Sequence, residues 1–330
     1  MNNTKENNFI PKKFFSSGFS QTILAFFLKS KSNIKYNKII LPLKDNSKIV
    51  LYTHIKDKSK PTAIIVHGLT GSSNSVYVER MSSKLISYGF NVIKFNLRSA
   101  DGTENLTTKI YNAAQSYDLK EAIIYLKKIK LKNFFILGFS LGGNVCLKFA
   151  EENPQLKSQI KAVAVLSPLI DLKESSSFIE KSKFFSYIFL KKLKNLIKIK
   201  AKYFPKLYNL SNINKVKTIR DFDELYQAPI SGYKNADDYY EKASVIKKLN
   251  NIKIPTLIIH SKDDPIVPYS SLTKAKIKNK YIKLITTNRG GHVGFIANTT
   301  KQEDKFWAEN RILEFFNSIK KTLIIQNQNI

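Results

Sequence analysis

A mostly parallel α/β sheet covered by helices on both faces, and interrupted once by a helical insertion, is the fold class this 330-residue sequence predicts. Three observations lead there. Short continuous apolar runs, the pattern of strands buried on both faces, alternate with helical stretches. The alternation stops over about 171–250, where aromatic-rich helical segments carry no convincing buried strand, and then resumes. Composition permits a large core, with 43% hydrophobic and 12% aromatic residues, while only 12 Gly and 10 Pro exclude collagen-like and low-complexity chains.

Ile39–Leu41 and Ile49–Tyr52 flank the turn Lys44-Asp45-Asn46 as a hairpin. Ala63–Val66 is the first doubly buried strand, followed by a helix over 75–88 and the strand Val92–Phe95. A helix over 114–129 places Ala122, Ile123, Leu126 and Ile129 at helical spacing. Phe134–Leu137, a helix over 141–152 and Val163–Leu166 complete the first half. Beyond the insertion come Pro255–Ile259, a helix over 269–278, Tyr281–Ile285 and a last helix over 303–318. The expected division is an N-terminal docking segment (1–34), a core (35–170 and 250–330) and a helical cap (171–249).

The first segment carries Lys5, Lys12 and Lys13 ahead of the apolar run Ile23–Leu28. That run is far shorter than the ~18–20 residues a spanning helix needs. A secretory leader would match the preceding charge, but Lys29, Ser30 and Lys31 follow with no small-x-small cleavage site. A docking helix or interfacial anchor is the expectation. The single Cys146 excludes an intramolecular disulfide or a cysteine-cluster metal site and fits a reducing cytoplasm.

Net charge is +30, yet only Arg80, Arg98, Arg220, Arg289 and Arg311 are arginines. Nucleic-acid readers lean on arginine for bidentate and stacking contacts, so nucleic acid is not an expected partner. The lysine-dominated field still attracts anionic surfaces. Between Lys181 and Arg220 there is no acidic residue, and lysines, Lys191, Lys192, Lys194, Lys198 and Lys200 among them, interleave with Phe184, Phe185, Ile188, Phe189, Leu193, Leu196 and Ile197. Two readings stand: an ordinary lid with a solvated outer face, or a basic amphipathic helix lying on an anionic bilayer. The expected location is cytoplasmic, with peripheral membrane association.

The strongest motif is Gly138-Phe139-Ser140-Leu141-Gly142-Gly143, between a buried strand and a helix. A G-x-S-x-G turn in that context forces the serine into a strained backbone and lifts its hydroxyl above the sheet edge. A serine hydroxyl needs a base with a carboxylate behind it, in the chain order Ser, acid, His. His54 and His67 precede Ser140, and His260 precedes any suitable acid, which leaves His292. The turn His260–Pro268 offers Asp263 and Asp264; Asp264 is favoured, by analogy with the usual spacing after a small residue, with Asp263 as a turn cap. The loop His67-Gly68-Leu69-Thr70-Gly71 follows a strand end, so the backbone N–H groups of Leu69 and Leu141 are the expected oxyanion donors.

Together with these motifs, Gln21-Thr22 after Phe9-Ile10-Pro11, Asn74-Ser75 and Tyr77, Asn96-Leu97-Arg98, Glu104-Asn105, Thr218–Glu224, Ala228-Pro229, Gly232-Tyr233, Asp237–Tyr240 and Gly290–Phe295 resemble the YheT-like α/β-hydrolases of the AB hydrolase-4 family. The resemblance runs from about residue 9 to 316. It implies an α/β-hydrolase fold and a Ser-Asp-His hydrolase of carboxylic esters, carried onto Ser140, Asp264 and His292. The substrate would be a small-molecule or lipid ester, with no metal or organic cofactor. One departure is Ser99-Ala100 after Arg98, where the family often has Gly and Cys, which bears on acyl-chain preference. Acyl transfer to an alcohol, or phospholipase or monoacylglycerol lipase action at a membrane surface, are the alternatives, because the same three residues serve all of them. A non-catalytic binding protein on this fold is disfavoured by the filled positions.

Overall fold

The computed structural model describes residues 9–28 and 33–328. Its centre is one sheet of eight strands: β1 (Asn37–Pro42), β2 (Lys48–His54), β3 (Pro61–Val66), β4 (Asn91–Asn96), β5 (Lys132–Phe139), β6 (Ile160–Leu166), β7 (Thr256–Ser261) and β8 (Ile282–Thr287). Their spatial order is β1-β2-β4-β3-β5-β6-β7-β8. β1 and β2 form the expected hairpin, β2 pairs antiparallel with β4, and every other pair is parallel.

The helices are α1 (Gly18–Phe27), α2 (Val76–Ser87), α3 (Ser116–Lys128), α4 (Leu141–Glu152), α5 (Leu172–Ile179), α6 (Lys183–Tyr203), α7 (Ile219–Phe222), α8 (Ala228–Ser231), α9 (Ala236–Ala243), α10 (Ser270–Lys274) and α11 (Trp307–Gln328). A π-helical turn, Asp223–Gln227, joins α7 to α8.

The period-two alternation of side chains along each strand explains the layering. Ile64 and Val66 of β3 enter one core cluster with Leu119, Ile123 and Leu126 of α3 and with Val145 and Phe149 of α4. Ala63 and Ile65 enter a second, with Met81 and Leu85 of α2 and Ile312 and Phe316 of α11. Both faces of the parallel strands are therefore apolar, which is why their sequences read as unbroken hydrophobic runs.

Two helices differ from expectation. The one expected over 269–278 ends as α10, because Lys276 takes a positive φ of 45° that a continuing helix cannot accept. The last helix begins at Trp307, since Phe306 is held in a β-bridge with Ile296 and the residues before it form bends and coil.

Between β6 and β7 the chain builds α5 to α9, whose third core cluster joins Phe185, Phe189, Leu193 and Ile197 of α6 to Ile110, Ile266 and Val267. Those four α6 residues recur every fourth position and form its inward face. The outward row Phe184, Tyr187, Lys191, Asn195, Lys198 and Lys202 is exposed. Lys200 does not belong to the solvated face where the sequence placed it. It is fully buried, and its ammonium donates to the Glu104 carbonyl at 2.9 Å, to the Ser99 hydroxyl at 3.2 Å and to the Thr107 carbonyl. Burial lowers its pKa to about 8. Lys200 thus pins α6 to the loop that follows β4.

The apolar run at the amino terminus lies in α1, capped by Ser17, whose hydroxyl accepts from Ser20 N at 3.1 Å. Gln21 and Thr22 are buried, while Phe26 and Phe27 are exposed. Lys5, Lys29, Ser30 and Lys31 lie outside the described residues. No helix among the described residues is long and apolar enough to cross a membrane.

Candidate active site

Parallel register aligns the carboxyl ends of the central strands: Val66 lies beside Gly138, Phe139 beside Leu166, and Leu166 beside Ile259. The loops leaving β3, β5 and β7 therefore emerge at one edge, where open α/β sheets assemble their sites. After β5 the chain turns sharply, with Ser140 at φ 52° and ψ −120°, and α4 begins at the next residue. A non-glycine residue held there is strained. The turn needs its glycines. A Cβ on Gly138 would lie 2.5 Å from the Gly142 carbonyl oxygen, and one on Gly142 would lie 2.3 Å from that of His67.

Ser140, His292 and Asp264, named separately from the sequence, meet at this edge. Ser140 Oγ lies 2.9 Å from His292 Nε2, and His292 Nδ1 lies 2.8 Å from Asp264 Oδ2. All three are buried. The second carboxylate oxygen of Asp264 accepts the backbone N–H groups of Ile266 at 2.8 Å and Val267 at 2.9 Å, which fixes the side chain. Burial opposes its charge, but the neighbouring His292 and these hydrogen bonds hold its carboxyl below the usual range. Asp263 points elsewhere. Instead of capping its own turn, its Oδ1 accepts Gly291 N–H at 3.0 Å, beside His292.

Leu69 follows β3 and Leu141 opens α4, and among the described residues neither backbone N–H has a hydrogen-bond partner. The loop around Leu69 is held by two phenols: Gly68 N–H donates to Tyr77 Oη at 3.0 Å and Thr70 N–H to Tyr111 Oη at 2.9 Å. The other histidines serve structure. His67 is fully buried, which lowers its pKa to about 4, and its Nε2 accepts Leu97 N–H at 3.1 Å. His260 is also held below its usual pKa by burial and stacks on Tyr269.

Sequence reasoning assigned no role to Gln21, Thr22, Tyr77 or Tyr111. Thr22 Oγ1 accepts the His292 N–H at 2.8 Å, and Gln21 Oε1 accepts Ile296 N–H at 2.6 Å. The only sequence signal for Gln21, Thr22 and Tyr77 was their place in the family resemblance. Tyr111 had none.

Two cavities share Ser140. One, of about 60 Å³, lies between the core and the insertion and is lined by Leu69, Leu141, Phe189, Phe222, Asp223 and Tyr240 among others. The second, of about 250 Å³, also reaches His292 and runs between α1 (Ile23, Phe26, Phe27) and α6 (Phe185, Ile188, Lys192). A hydroxyl beside a base, two unpaired N–H groups and apolar chambers on either side form an arrangement suited to attack on an acyl carbonyl.

Comparison with known proteins agrees with the geometry. Residues 61–299 match the alpha/beta hydrolase fold family. The YheT protein of Escherichia coli is 32% identical over 316 residues, covering 92% of this chain and 91% of that one. The monoacylglycerol lipase of Saccharomyces cerevisiae is 32% identical over 275 residues, 79% of this chain and 60% of the relative. Among solved structures, the Pyrococcus furiosus esterase Pf2001 superposes with a TM-score of 0.58 at 21% identity, over 88% of this chain and 97% of that one, and shares the fold. An eight-stranded sheet with this topology, an elbow serine at its edge and similarity along nearly the whole of YheT lead to one assignment: the chain belongs to the α/β-hydrolase fold family, in its YheT-like branch.

Proposed function

We propose that the protein is a serine hydrolase that cleaves carboxylic esters, of lipids or of short- to medium-chain acids, through an acyl-enzyme. The observation that carries this reading is the continuous path from Ser140 Oγ to His292 (2.9 Å) and on to Asp264 (2.8 Å) at a point two cavities share. Ser140 Oγ bonds to the acyl carbon while its proton passes to His292 Nε2. Asp264 holds the tautomer that leaves Nε2 free to accept, and it stabilises the imidazolium. The Leu69 and Leu141 amides bind the developing oxyanion. Collapse breaks the acyl–oxygen bond, and the departing alcohol takes the proton from His292. Water then adds to the acyl carbon, gives a proton to His292, and Ser140 recovers it as the acid leaves. Transfer to an alcohol differs only in the second nucleophile, so added alcohol in the assay separates the two outcomes.

The wide apolar cavity between α1 and α6 suits a hydrocarbon chain, and a relative named a monoacylglycerol lipase is in line with lipid esters. Lipid would enter from an anionic membrane on which the exposed aromatic and lysine row of α6 lies. The 171–249 insertion acts as the cap and the α1 segment as its docking partner. A fluorophosphonate should label Ser140, and Ser140→Ala should lose hydrolysis across an ester series by several orders of magnitude. Wild-type turnover in that variant, or labelling of another serine, overturns the reading.

A further inference from the structure

The segment Thr218–Glu224 is unused by the chemistry above, yet it is built into the smaller cavity. Most of its polar groups have structural duties. Thr218 and Asp221 close a reciprocal capping box on α7. Arg220 forms a fork with Asp237 at 2.6 and 3.1 Å, and Glu224 accepts Ala236 N–H at 2.8 Å. Asp223 differs. It starts the π-helical turn, is buried, and lines the cavity that also contains Ser140. The one hydrogen bond of its carboxylate among the described residues comes from the Tyr240 hydroxyl, at 2.7 Å to Oδ2.

A second polar group on that cavity is also unspent. Ser175 of α5 lines it, and its hydroxyl is buried with no hydrogen-bond partner among the described residues. Buried polar groups are ordinarily paired, so an acid with one bond and an unpaired hydroxyl, on residues that line one chamber, mark a place where a ligand completes the bonding. The chamber, about 60 Å³, holds a group of roughly four heavy atoms. The rest of its lining is apolar apart from Tyr111, Ser140, Ser176, Gln227, Tyr239 and Tyr240.

We propose that Asp223 and Ser175 recognise a hydroxyl on the part of the ester that occupies this cavity. The inference rests on the reading of Ser140 as nucleophile. Burial pushes the Asp223 carboxyl up to about 7, against the lowering effect of Tyr240 and Arg220, with Glu180 raising it further. An acid titrating near neutrality can accept or donate, as can Ser175, and a hydroxyl does both. A permanently charged ammonium would gain only from the ionised form, and Arg220 already pairs with Asp237. The same cavity explains how a largely apolar site discriminates: a chamber built to bond a hydroxyl rejects substrates that lack one, because its own groups are then left unpaired.

The hydroxyl could sit on the alcohol or on the acyl part, and two assay arms separate these. The first compares glycerol with methyl esters of one medium-chain acid. The second compares the methyl esters of 4-hydroxybutyric and butyric acid, whose acyl groups are short enough for the chamber. In one arm the wild-type kcat/KM should favour the hydroxylated ester by about tenfold or more, and Asp223→Ala or Ser175→Ala should erase that ratio while fluorophosphonate still labels Ser140. Where Asp223→Ala fails to fold, the milder Ser175→Ala decides. Recognition is also read without turnover. A glycerol monoether or an ω-hydroxyalkyl methyl ether should bind Ser140→Ala protein more tightly than its unhydroxylated counterpart, and Ser175→Ala in that background should remove the margin. Unchanged ratios and margins in labelled variants, or a preference for aminoalkyl over hydroxyalkyl esters, overturn this proposal. Absent labelling of Ser140 alongside intact ether discrimination would overturn the reading of the nucleophile instead.

Discussion

The hydroxyl oxygen of Thr22 accepts the backbone N–H of His292 at 2.8 Å across a separation of 270 residues. Thr22 also donates to the Gly18 carbonyl at 2.7 Å, so its orientation is fixed within α1. Gln21 grips the same loop from both sides, accepting Ile296 N–H at 2.6 Å and donating to the Ile296 carbonyl at 3.0 Å. The contact is close enough to exclude side chains: a Cβ on Gly291 would lie 2.3 Å from the Gly18 carbonyl oxygen. The amino-terminal helix therefore positions the loop that carries the proposed base.

Thr22→Val removes the acceptor while keeping the side-chain volume. It should lower kcat by about tenfold or more with little change in KM, since a misplaced base hurts the step rather than binding. Thr22→Ser should restore most of the rate. A variant that changes KM alone, or a serine that fails to rescue, would reduce Thr22 to a packing residue.

Asp264→Asn should lower kcat by roughly 10³–10⁴, because an amide favours the His292 tautomer that cannot take the Ser140 proton. Asp263→Asn keeps an oxygen for Gly291 N–H and should cost far less. Matched kinetics and thermal melts separate the two effects. The reverse ranking would move the acid to Asp263.

The strands were legible because burial on both faces leaves an unmistakable run such as Ala63–Val66, and the elbow because tight backbone packing admits only glycine at Gly138 and Gly142. Which of Asp263 and Asp264 faces His292 depends on the turn, where adjacent carboxylates diverge, so the sequence supported that choice only by analogy. Thr22 and Tyr111 act through contacts between distant segments and carry no local pattern. Lys200 was misread because a lysine in a basic run looks solvated, and only the fold shows the Glu104 and Thr107 carbonyls that hold it.

Asp223 gives a stability signature independent of turnover. Its carboxyl titrates near 7 in the fold against an ordinary value of 3.8. Between those values the native state holds a proton that the unfolded chain has lost, so stability falls as pH rises through that window. Below it both states are protonated, and the contribution is whole. Asp223→Asn cannot ionise and still accepts from Tyr240, so its Tm should gain on the wild type as pH moves from 4 to 8. A difference in Tm that stays flat over this range would contradict a buried acid held protonated in the fold.

The outer row of α6 makes the membrane reading quantitative. Phe184 and Tyr187 stand exposed at its amino-terminal end, with Lys191, Lys198 and Lys202 continuing the same row at helical spacing. Phe19 of α1 packs edge-on against Phe184, with ring centroids 5.5 Å apart, and exposed Phe26 and Phe27 border the wide cavity. Aromatic residues at the cavity mouth and cations along the helix are the pairing expected of a surface that rests in an anionic lipid interface. A lysine near such a surface contributes about 1 kcal/mol, so Lys191→Gln, Lys198→Gln and Lys202→Gln together should weaken capture by phosphatidylserine-containing vesicles by roughly two orders of magnitude. None of the three contacts Ser140 or His292, and hydrolysis of a small soluble ester should persist in the triple variant. Wild-type capture should fall as salt rises, because surface charge is screened within a Debye length. Equal sedimentation with neutral vesicles, or capture that ignores salt, would leave α6 as a lid with a solvated face and return the lysines to the general positive field of the chain.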